Sequence, residues 1–284
     1  EIMPSLVGSE MCIRDSYYGA VPFLENGESF PFRVSIQKDM VTVSLDTSGI
    51  SLHKRGYRTE TARAPITETL AAALLLLTPW HADRILADPF CGSGTFLIEA
   101  AMMASNMAPG MNREFLSQTW EHLIPKKVWY RSFDEAQELL IPHPETDLQG
   151  FDIDGSVIRR AKINAEQAGV SELIHFQERD VSQFSHAKKY GFIVTNPPYG
   201  ARLMGESGEE AEVAALYRTL GERFRALQDW SLYLITAFPD AEKCIGRKAD
   251  KNRKIYNGMM KTYFYQFLGK KPPKREKRQE KQGE

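Results

Sequence analysis

A strand that ends in a glycine turn and opens straight into a helix limits this chain more than any other feature. Ile85-Leu86-Ala87 runs into Asp88-Pro89-Phe90-Cys91-Gly92-Ser93-Gly94-Thr95, and the helical pattern Phe96-Leu97-Ile98-Glu99-Ala100-Ala101 follows at once. That order begins a nucleotide site: glycines reach backbone angles closed to other residues, admit a ligand to the main chain, and leave a helix N-terminus just beyond. The spacing is Gly-Ser-Gly, which matches neither the dinucleotide fingerprint nor the P-loop. The turn therefore suits a cofactor with no phosphate to cradle. Two more strands end in acid further along. Leu148-Gln149-Gly150-Phe151-Asp152-Ile153-Asp154 is one, and His175-Phe176-Gln177 leads to Glu178-Arg179-Asp180-Val181 in the other. Between them Val157, Ile158, Ala161, Ala165 and Ala168 mark a helix. Each acid is placed to accept from a ribose hydroxyl or to cap a helix or turn. Three such strand ends in this order point to one nucleoside site.

The apolar run Phe192-Ile193-Val194-Thr195 closes on Asn196-Pro197-Pro198-Tyr199. Two prolines fix φ near −65° and donate no N–H, so the loop presents carbonyl oxygens that no internal donor consumes. An Asn side-chain oxygen and a Pro carbonyl together can hold both hydrogens of an exocyclic amine, and a Tyr ring offers a face to a flat base. An ordinary proline turn after a buried strand would read the same way in isolation. The upstream glycine turn favours a site that modifies a nucleobase amine.

With these motifs in view, the chain resembles the class I S-adenosylmethionine-dependent amino-methyltransferases. Leu52-His53-Lys54-Arg55-Gly56-Tyr57-Arg58, followed by Ala64-Pro65-Ile66-Thr67-Glu68-Thr69-Leu70-Ala71, narrows the likeness. It is similar to the junction in THUMP-domain RNA methyltransferases, above all the bacterial 23S rRNA guanine-N2 methyltransferases. Members of that group have also been labelled N6-adenine-specific DNA methylases, because the Asn-Pro-Pro-Tyr loop is shared. The likeness covers residues 30 to 268. It implies S-adenosyl-L-methionine as cofactor, RNA as partner (23S rRNA, with tRNA as the alternative), and a Rossmann-like α/β fold. Such a fold has a mostly parallel, doubly wound sheet with one antiparallel terminal strand.

The same resemblance implies roles for individual residues. Asp88, Cys91, Gly92, Ser93, Gly94 and Thr95 would form the loop beneath the methionine moiety. Asp152 would hold the ribose with Ile153 against the adenine, and Asp180 would accept from the adenine amine with Val181 beside it. Asn196, Pro197, Pro198 and Tyr199 would grip the target base, with Asn196 also beside the cofactor. Lys54, Arg55, Arg58 and Lys254 would contact RNA along with Tyr199. Asp152 is preferred to Asp154 for the ribose, since the second acid can cap the helix near Ser156. Thr67 and Glu68 either close over the methionine end of the cofactor or cap a packing helix. The chemistry needs no covalent nucleophile, so Cys91 is expected as a small packed residue. Carbon-5 pyrimidine methylation, which needs an attacking cysteine, is disfavoured.

Composition sets outer limits. The 284 residues are 42% hydrophobic, enough for one large α/β domain with an appendage. No apolar run approaches the ~18 residues of a membrane span. Cys12, Cys91 and Cys244 have neither disulfide nor metal spacing, which suits a reducing cytoplasm and indicates no zinc site. A net charge of −1 excludes a uniformly cationic nucleic-acid binder, so RNA affinity must come from local patches. Two are visible: Lys54, Arg55, Arg58 and Arg63 around His53 and Tyr57, and the C-terminal run from Lys270. The segment Lys251-Asn252-Arg253-Lys254-Ile255-Tyr256-Asn257-Gly258 resembles the final hairpin of the fold, whose basic turn either meets the substrate or is a plain charged hairpin. The tail led by Lys270-Lys271-Pro272-Pro273-Lys274-Arg275 has no apolar anchor and is expected as a solvated end.

Four segments follow. Residues 1–16 match nothing in the family and resemble translated sequencing-adapter sequence. Residues 17–58 hold a hairpin, Phe32–Ile36 and Met40–Leu45 about a Lys38-Asp39 turn, expected as the remnant of a THUMP domain whose earlier part is missing. Residues 59–269 form the methyltransferase domain and 270–284 the tail. Within the domain the predicted helices are 65–78, 95–107, 155–168, 209–228 and 239–246. The predicted strands are 84–89, 147–152, 173–178, 190–195 and 230–237, with a closing hairpin through 268. An insertion through about 146 carries Trp120, Trp129, Tyr130 and Phe133 and either shapes the substrate pocket or packs as a lid.

Overall fold

The computed structural model describes residues 27–58, 66–199 and 209–273. Cys12, the segment 1–16, Arg63 to Pro65 and the tail from Lys274 lie outside the described residues. The chain divides into two compact units: Glu1–Gly49 with Phe115–Pro125, and Ile50–Glu114 with Lys126–Glu284.

In the smaller unit β1 (Phe32–Gln37) pairs antiparallel with β2 (Met40–Leu45), in register from Phe32 opposite Leu45 to Gln37 opposite Met40. Lys38 and Asp39 both take left-handed backbone, φ 49° and 59°, the two-residue turn whose twist matches the strands it joins. Part of the expected insertion belongs here. The Trp120 indole N–H donates to the Ser29 carbonyl (2.8 Å) and its ring lies 4.9 Å from Phe30. The Leu116 and Ser117 amides donate to the Ser48 and Thr47 carbonyls. Trp120 is thus the hairpin's own core residue, a long-range partner that spacing in the sequence cannot show.

The boundary at residue 58 moves for a similar reason. The Arg113 guanidinium donates to the carbonyls of Ile50, Ser51 and Lys54, and Tyr57 is 1% exposed. Residues 50–58 consequently group with the larger unit. Gly56 is required there: its φ is 96°, and a side chain would run into the Asn112 carbonyl.

The larger unit is built on a seven-stranded sheet. Its strands are β3 (Leu86–Asp88), β4 (Leu148–Asp152), β5 (Ile174–Glu178), β6 (Phe192–Thr195), β7 (Ser231–Thr236), β8 (Lys251–Asn257) and β9 (Met260–Phe267). Their order is β5-β4-β3-β6-β7-β9-β8, and β9 alone runs against its neighbours. Among the described residues six helices accompany it: α1 (Glu68–Leu76), α2 (Thr95–Ala104), α3 (Lys126–Glu138), α4 (Gly155–Gln167), α5 (Glu209–Ala226) and α6 (Ala241–Ile245). The period of two in the strands divides the core. Leu86, Phe192, Val194, Tyr233 and Ile235 pack with Leu74, Leu97 and Ala161 on one face. Ala87, Ile193, Leu232 and Leu234 pack with Tyr217, Leu220 and Ile245 on the other. Strands β6 and β7 are buried throughout because both their faces are covered, which is why they read as unbroken apolar runs.

Two expectations shift. The first helix starts at Glu68, with Thr67 extended in the cap position, not at residue 65. Helix α3 arises inside the expected insertion; it fully buries no residue, but Trp129, Phe133 and Ala136 recur at helical spacing and are half-buried, one apolar stripe that the aromatics of a pocket wall or lid would equally supply.

Candidate active site

Parallel strands bring their carboxyl ends to one edge, and the chain reverses direction across the sheet between β3 and β6. Ligands of open α/β sheets bind at such a switch point. Along this edge, in the order β5, β4, β3, β6, follow Asp180, Asp152, the glycine turn and Asn196.

The turn is held from below. Gly92 and Gly94 have φ of 54° and 84°, and a Cβ on Gly94 would lie 2.9 Å from Phe176. Side chains are therefore excluded at Gly94 by backbone angle and by space together. The Gly94 amide donates to the Cys91 carbonyl (2.8 Å), the Cys91 amide to the Phe151 carbonyl (2.9 Å), and the Gly92 amide to Asp152 Oδ2 (3.1 Å). Beneath it the buried Asn164 amide donates to the Ser93 carbonyl at 3.1 Å. Cys91 is 6% exposed, and burial pushes its thiol well above the usual range, as suits packing and not nucleophilic attack.

Asp88 joins this turn to the next strand. It is fully enclosed and accepts from Thr195 Oγ1 (2.6 Å) and from the Phe90 amide (3.1 Å). Burial lifts its carboxyl to about 7 against the hydrogen bonds that favour the charged form. Thr195 precedes Asn196, so one carboxyl anchors both the glycine turn and the root of the proline loop.

The other acids divide their tasks. Asp154 caps α4, its carboxylate accepting from the Ser156 amide at 2.8 Å. Asp152, whose pKa burial raises, accepts from the Asp154 and Gly92 amides, one on each oxygen. Each oxygen keeps a second lone pair for a ligand hydroxyl. Ile153 beside it is 70% exposed, a free apolar surface at the rim. Asp180 caps a short 3₁₀ turn (Val181–Gln183) through the Ser182 amide, bonds that hold its pKa low, and Val181 is buried.

In the proline loop Pro197 is buried and Pro198 exposed. The Asn196 Oδ1 atom is buried and has no hydrogen-bond partner among the described residues. Tyr199, expected as a stacking face, is 8% exposed and packed in the second core cluster, with its hydroxyl 3.4 Å from Asn257 Nδ2.

Two of the cations expected at RNA turn inward. Arg58 donates to Thr95 Oγ1 (2.7 Å) and the Ile66 carbonyl (3.1 Å) and pairs with Glu68 at 3.5 Å. Arg55 pairs with Glu99 at 3.5 Å, and Tyr57 donates to the same carboxylate at 3.0 Å. Both arginines are spent on buried carboxylates and support the glycine turn and α2 instead of facing solvent. Lys54 and Lys254 stay exposed. Glu99 and Asn164 escaped the sequence reading; the usable signal was a charge set in the apolar stretch Phe96 to Ala101, which burial tolerates only with partners. A cavity of about 600 Å³ with Arg84, Asp147, Lys188 and Tyr190 in its wall is lined by none of the candidate site residues.

A family model described as RMKL-like, methyltransferase domain, matches residues 55–266. YpsC of Bacillus subtilis (strain 168), which carries a provisional RNA methyltransferase name, is 44% identical over 253 residues, 89% of this chain and 64% of its own. Ribosomal RNA large subunit methyltransferase K/L of Shewanella pealeana (strain ATCC 700345 / ANG-SQ1) is 40% identical over 242 residues, 82% of this chain and 33% of that protein. This chain thus spans less than two thirds of either relative. The solved structure of SMU.472, provisionally described as a methyltransferase and complexed with SAH, superposes with a TM-score of 0.85. Its identity is 39%, over 96% of this chain and 70% of that one.

Proposed function

The chain belongs to the family of RMKL-like methyltransferase domains, and from that membership we propose that it transfers a methyl group from S-adenosyl-L-methionine to the exocyclic N2 amine of a guanine in RNA. Large-subunit 23S rRNA is the favoured substrate. The observation that carries the target chemistry is Asn196 Oδ1, buried and without a partner among the described residues, at the end of β6 beside Pro197. An unpaired buried acceptor costs about 1–3 kcal/mol, a cost that an amine hydrogen from the base would remove.

The residues present fit the cofactor. The Gly92–Gly94 turn leaves the main chain open to a ligand, Asp152 retains acceptor capacity for ribose hydroxyls, and Ile153 offers an apolar surface to the adenine. When bound, the cofactor supplies a methyl group made electrophilic by its sulfonium. The task left to the protein is alignment, which holds the attacking nitrogen in line with the bond that breaks. Asn196 and the Pro197 carbonyl, accepting both amine hydrogens, draw the nitrogen lone pair out of the purine and stabilise positive charge as the N–C bond forms. The proton then leaves to solvent. Asp88, through Thr195, holds the proline loop at a fixed distance from the glycine turn. The SAH-bound relative and the rRNA methyltransferase relative support cofactor and substrate respectively. The hairpin of β1 and β2 we assign to the end of a THUMP domain.

Methyl transfer from labelled cofactor tests the reading, with undermodified 23S rRNA, tRNA and adenine-rich DNA as acceptors and digestion to nucleosides. N2-methylguanosine from 23S rRNA is expected. The same product from tRNA, or N6-methyladenine from DNA, would move the substrate. Cofactor binding with no transfer to any acceptor would favour a non-catalytic RNA-binding protein. Asn196→Ala is expected to lose transfer while cofactor binding stays; turnover equal to the parent's would remove Asn196 from the chemistry.

A further inference from the structure

The register of the last two strands places a basic, aromatic arm beside the proline loop. Tyr263 on β9 lies opposite Thr236, the last residue of β7, so Met260, Lys261 and Thr262 continue past the carboxyl edge of the sheet. Three residues at strand rise carry the hairpin about 10 Å beyond that edge, on the side where Asn196–Tyr199 emerges. Asn257, at the end of β8, reaches back to the Tyr199 hydroxyl at 3.4 Å and ties the arm to the loop.

One face of the arm has a distinct chemistry. Lys254 pairs across strands with Tyr263, and Tyr256 with Lys261, so these four share a face. Lys254 Nζ sits 5.4 Å from the Tyr256 ring centroid and Lys261 Nζ 5.3 Å from that of Tyr263. Tyr256 is 58% exposed, both lysines are exposed, and Tyr263 continues inward to Tyr265 at 5.9 Å. Residues 251–267 carry Lys251, Arg253, Lys254 and Lys261 and no Asp or Glu, in a chain whose net charge is −1. The concentration of cations is therefore local, which is how a near-neutral protein marks a polyanion site.

We propose that this overhanging face, Lys254, Tyr256, Lys261 and Tyr263, receives the unpaired RNA nucleotides next to the base held at Asn196 and Pro197. The proposal rests on the RNA-methylation reading above. Alternating lysine and tyrosine suits a single strand: the ammonium groups meet successive phosphates while an exposed ring stacks on an unstacked base. An A-form duplex hides its bases and would leave the Tyr256 ring unused.

Binding of the whole chain to a single-stranded oligoribonucleotide and to the corresponding duplex, across a salt series, tests this. For K254Q/K261Q the dependence of log affinity on log salt should flatten by about 1.4, two phosphates at about 0.7 each. Tyr256→Ala should weaken single-strand binding about tenfold. Both variants should keep the parent's unfolding midpoint and cofactor affinity. Variant curves that superimpose on the parent's, or parent binding that prefers the duplex, would overturn the inference. If the parent methylates RNA while the variants bind it as the parent does, this inference falls and the methylation reading stands. If the parent methylates DNA alone, or no acceptor, the RNA reading falls and takes this one with it.

Discussion

Two basic stretches look alike as sequence and behave in opposite ways in the structure. Lys54-Arg55-Gly56-Tyr57-Arg58 and Lys251 to Lys261 both interleave cations with tyrosine, and both suggest a nucleic-acid surface. In the first, α1 and α2 deliver Glu68 and Glu99, each about 3% exposed, and Arg58 and Arg55 turn inward to meet them. In the second no carboxylate lies within the hairpin, and the lysines stay in solvent over tyrosine rings. The direction a cation takes is settled by acids far away in the chain. A buried carboxylate is too costly to leave alone, so it claims the nearest guanidinium.

The largest effect expected from this contrast is at Arg58. Its removal leaves Glu68 buried without its cation, with Oε2 already lacking a partner, and takes the donor from Thr95 at the start of α2. Arg58→Ala should cost about 3–5 kcal/mol in denaturant unfolding and weaken cofactor binding. A loss below about 1 kcal/mol would mean that the first stretch is a surface after all and the contrast is void.

Next comes the pH response of the inward half of the site. The Asp88 carboxyl titrates near 7 in the folded protein against 3.8 as its ordinary value, so between those limits the folded state holds a proton that the unfolded state has lost. Stability contributed by that proton is complete below about 4 and declines as pH rises through about 7. Asp88→Asn should flatten the decline, measured as the unfolding midpoint from pH 4 to 8. A parent protein whose midpoint does not fall over that range would show that the Thr195 hydroxyl and the Phe90 amide hold the carboxylate charged.

These predictions mark where the sequence was legible. Strand ends, glycine turn and proline loop are each written in a few adjacent residues, and parallel pairing alone then sets Asp180, Asp152, Gly92, Gly94 and Asn196 along one edge. The two-sided core was legible too, because buried strands and amphipathic helices carry their periodicity locally. Contacts between distant residues were not. Trp120 against Phe30, Glu99 against Tyr57, Asn164 against Ser93 and Asn257 against Tyr199 join positions from 42 to 90 residues apart. Nothing adjacent to either member names the other. Helix α3 was missed although its stripe of Trp129, Phe133 and Ala136 is written locally, because aromatics in an insertion suit a pocket wall or a lid as well as one face of a helix.

The smallest expected effect is also the sharpest control. Lys54 belongs by sequence to the first stretch but by exposure to the second: its backbone carbonyl accepts from Arg113, and its side chain is in solvent. If burial and carboxylate partners decide the role of a cation, Lys54→Gln should leave the unfolding midpoint unchanged, unlike Arg58→Ala. It should flatten the salt dependence of RNA binding by no more than about 0.7, the share of one phosphate. A midpoint that drops with Lys54→Gln would mean the whole stretch acts as one structural unit irrespective of exposure, and the sequence cluster, not the buried acids, would be the better guide. An unchanged midpoint with a flattened salt slope would instead split the stretch residue by residue. Lys54 would then stand with the hairpin lysines as an RNA contact, and Arg55 and Arg58 would remain as supports of the cofactor turn.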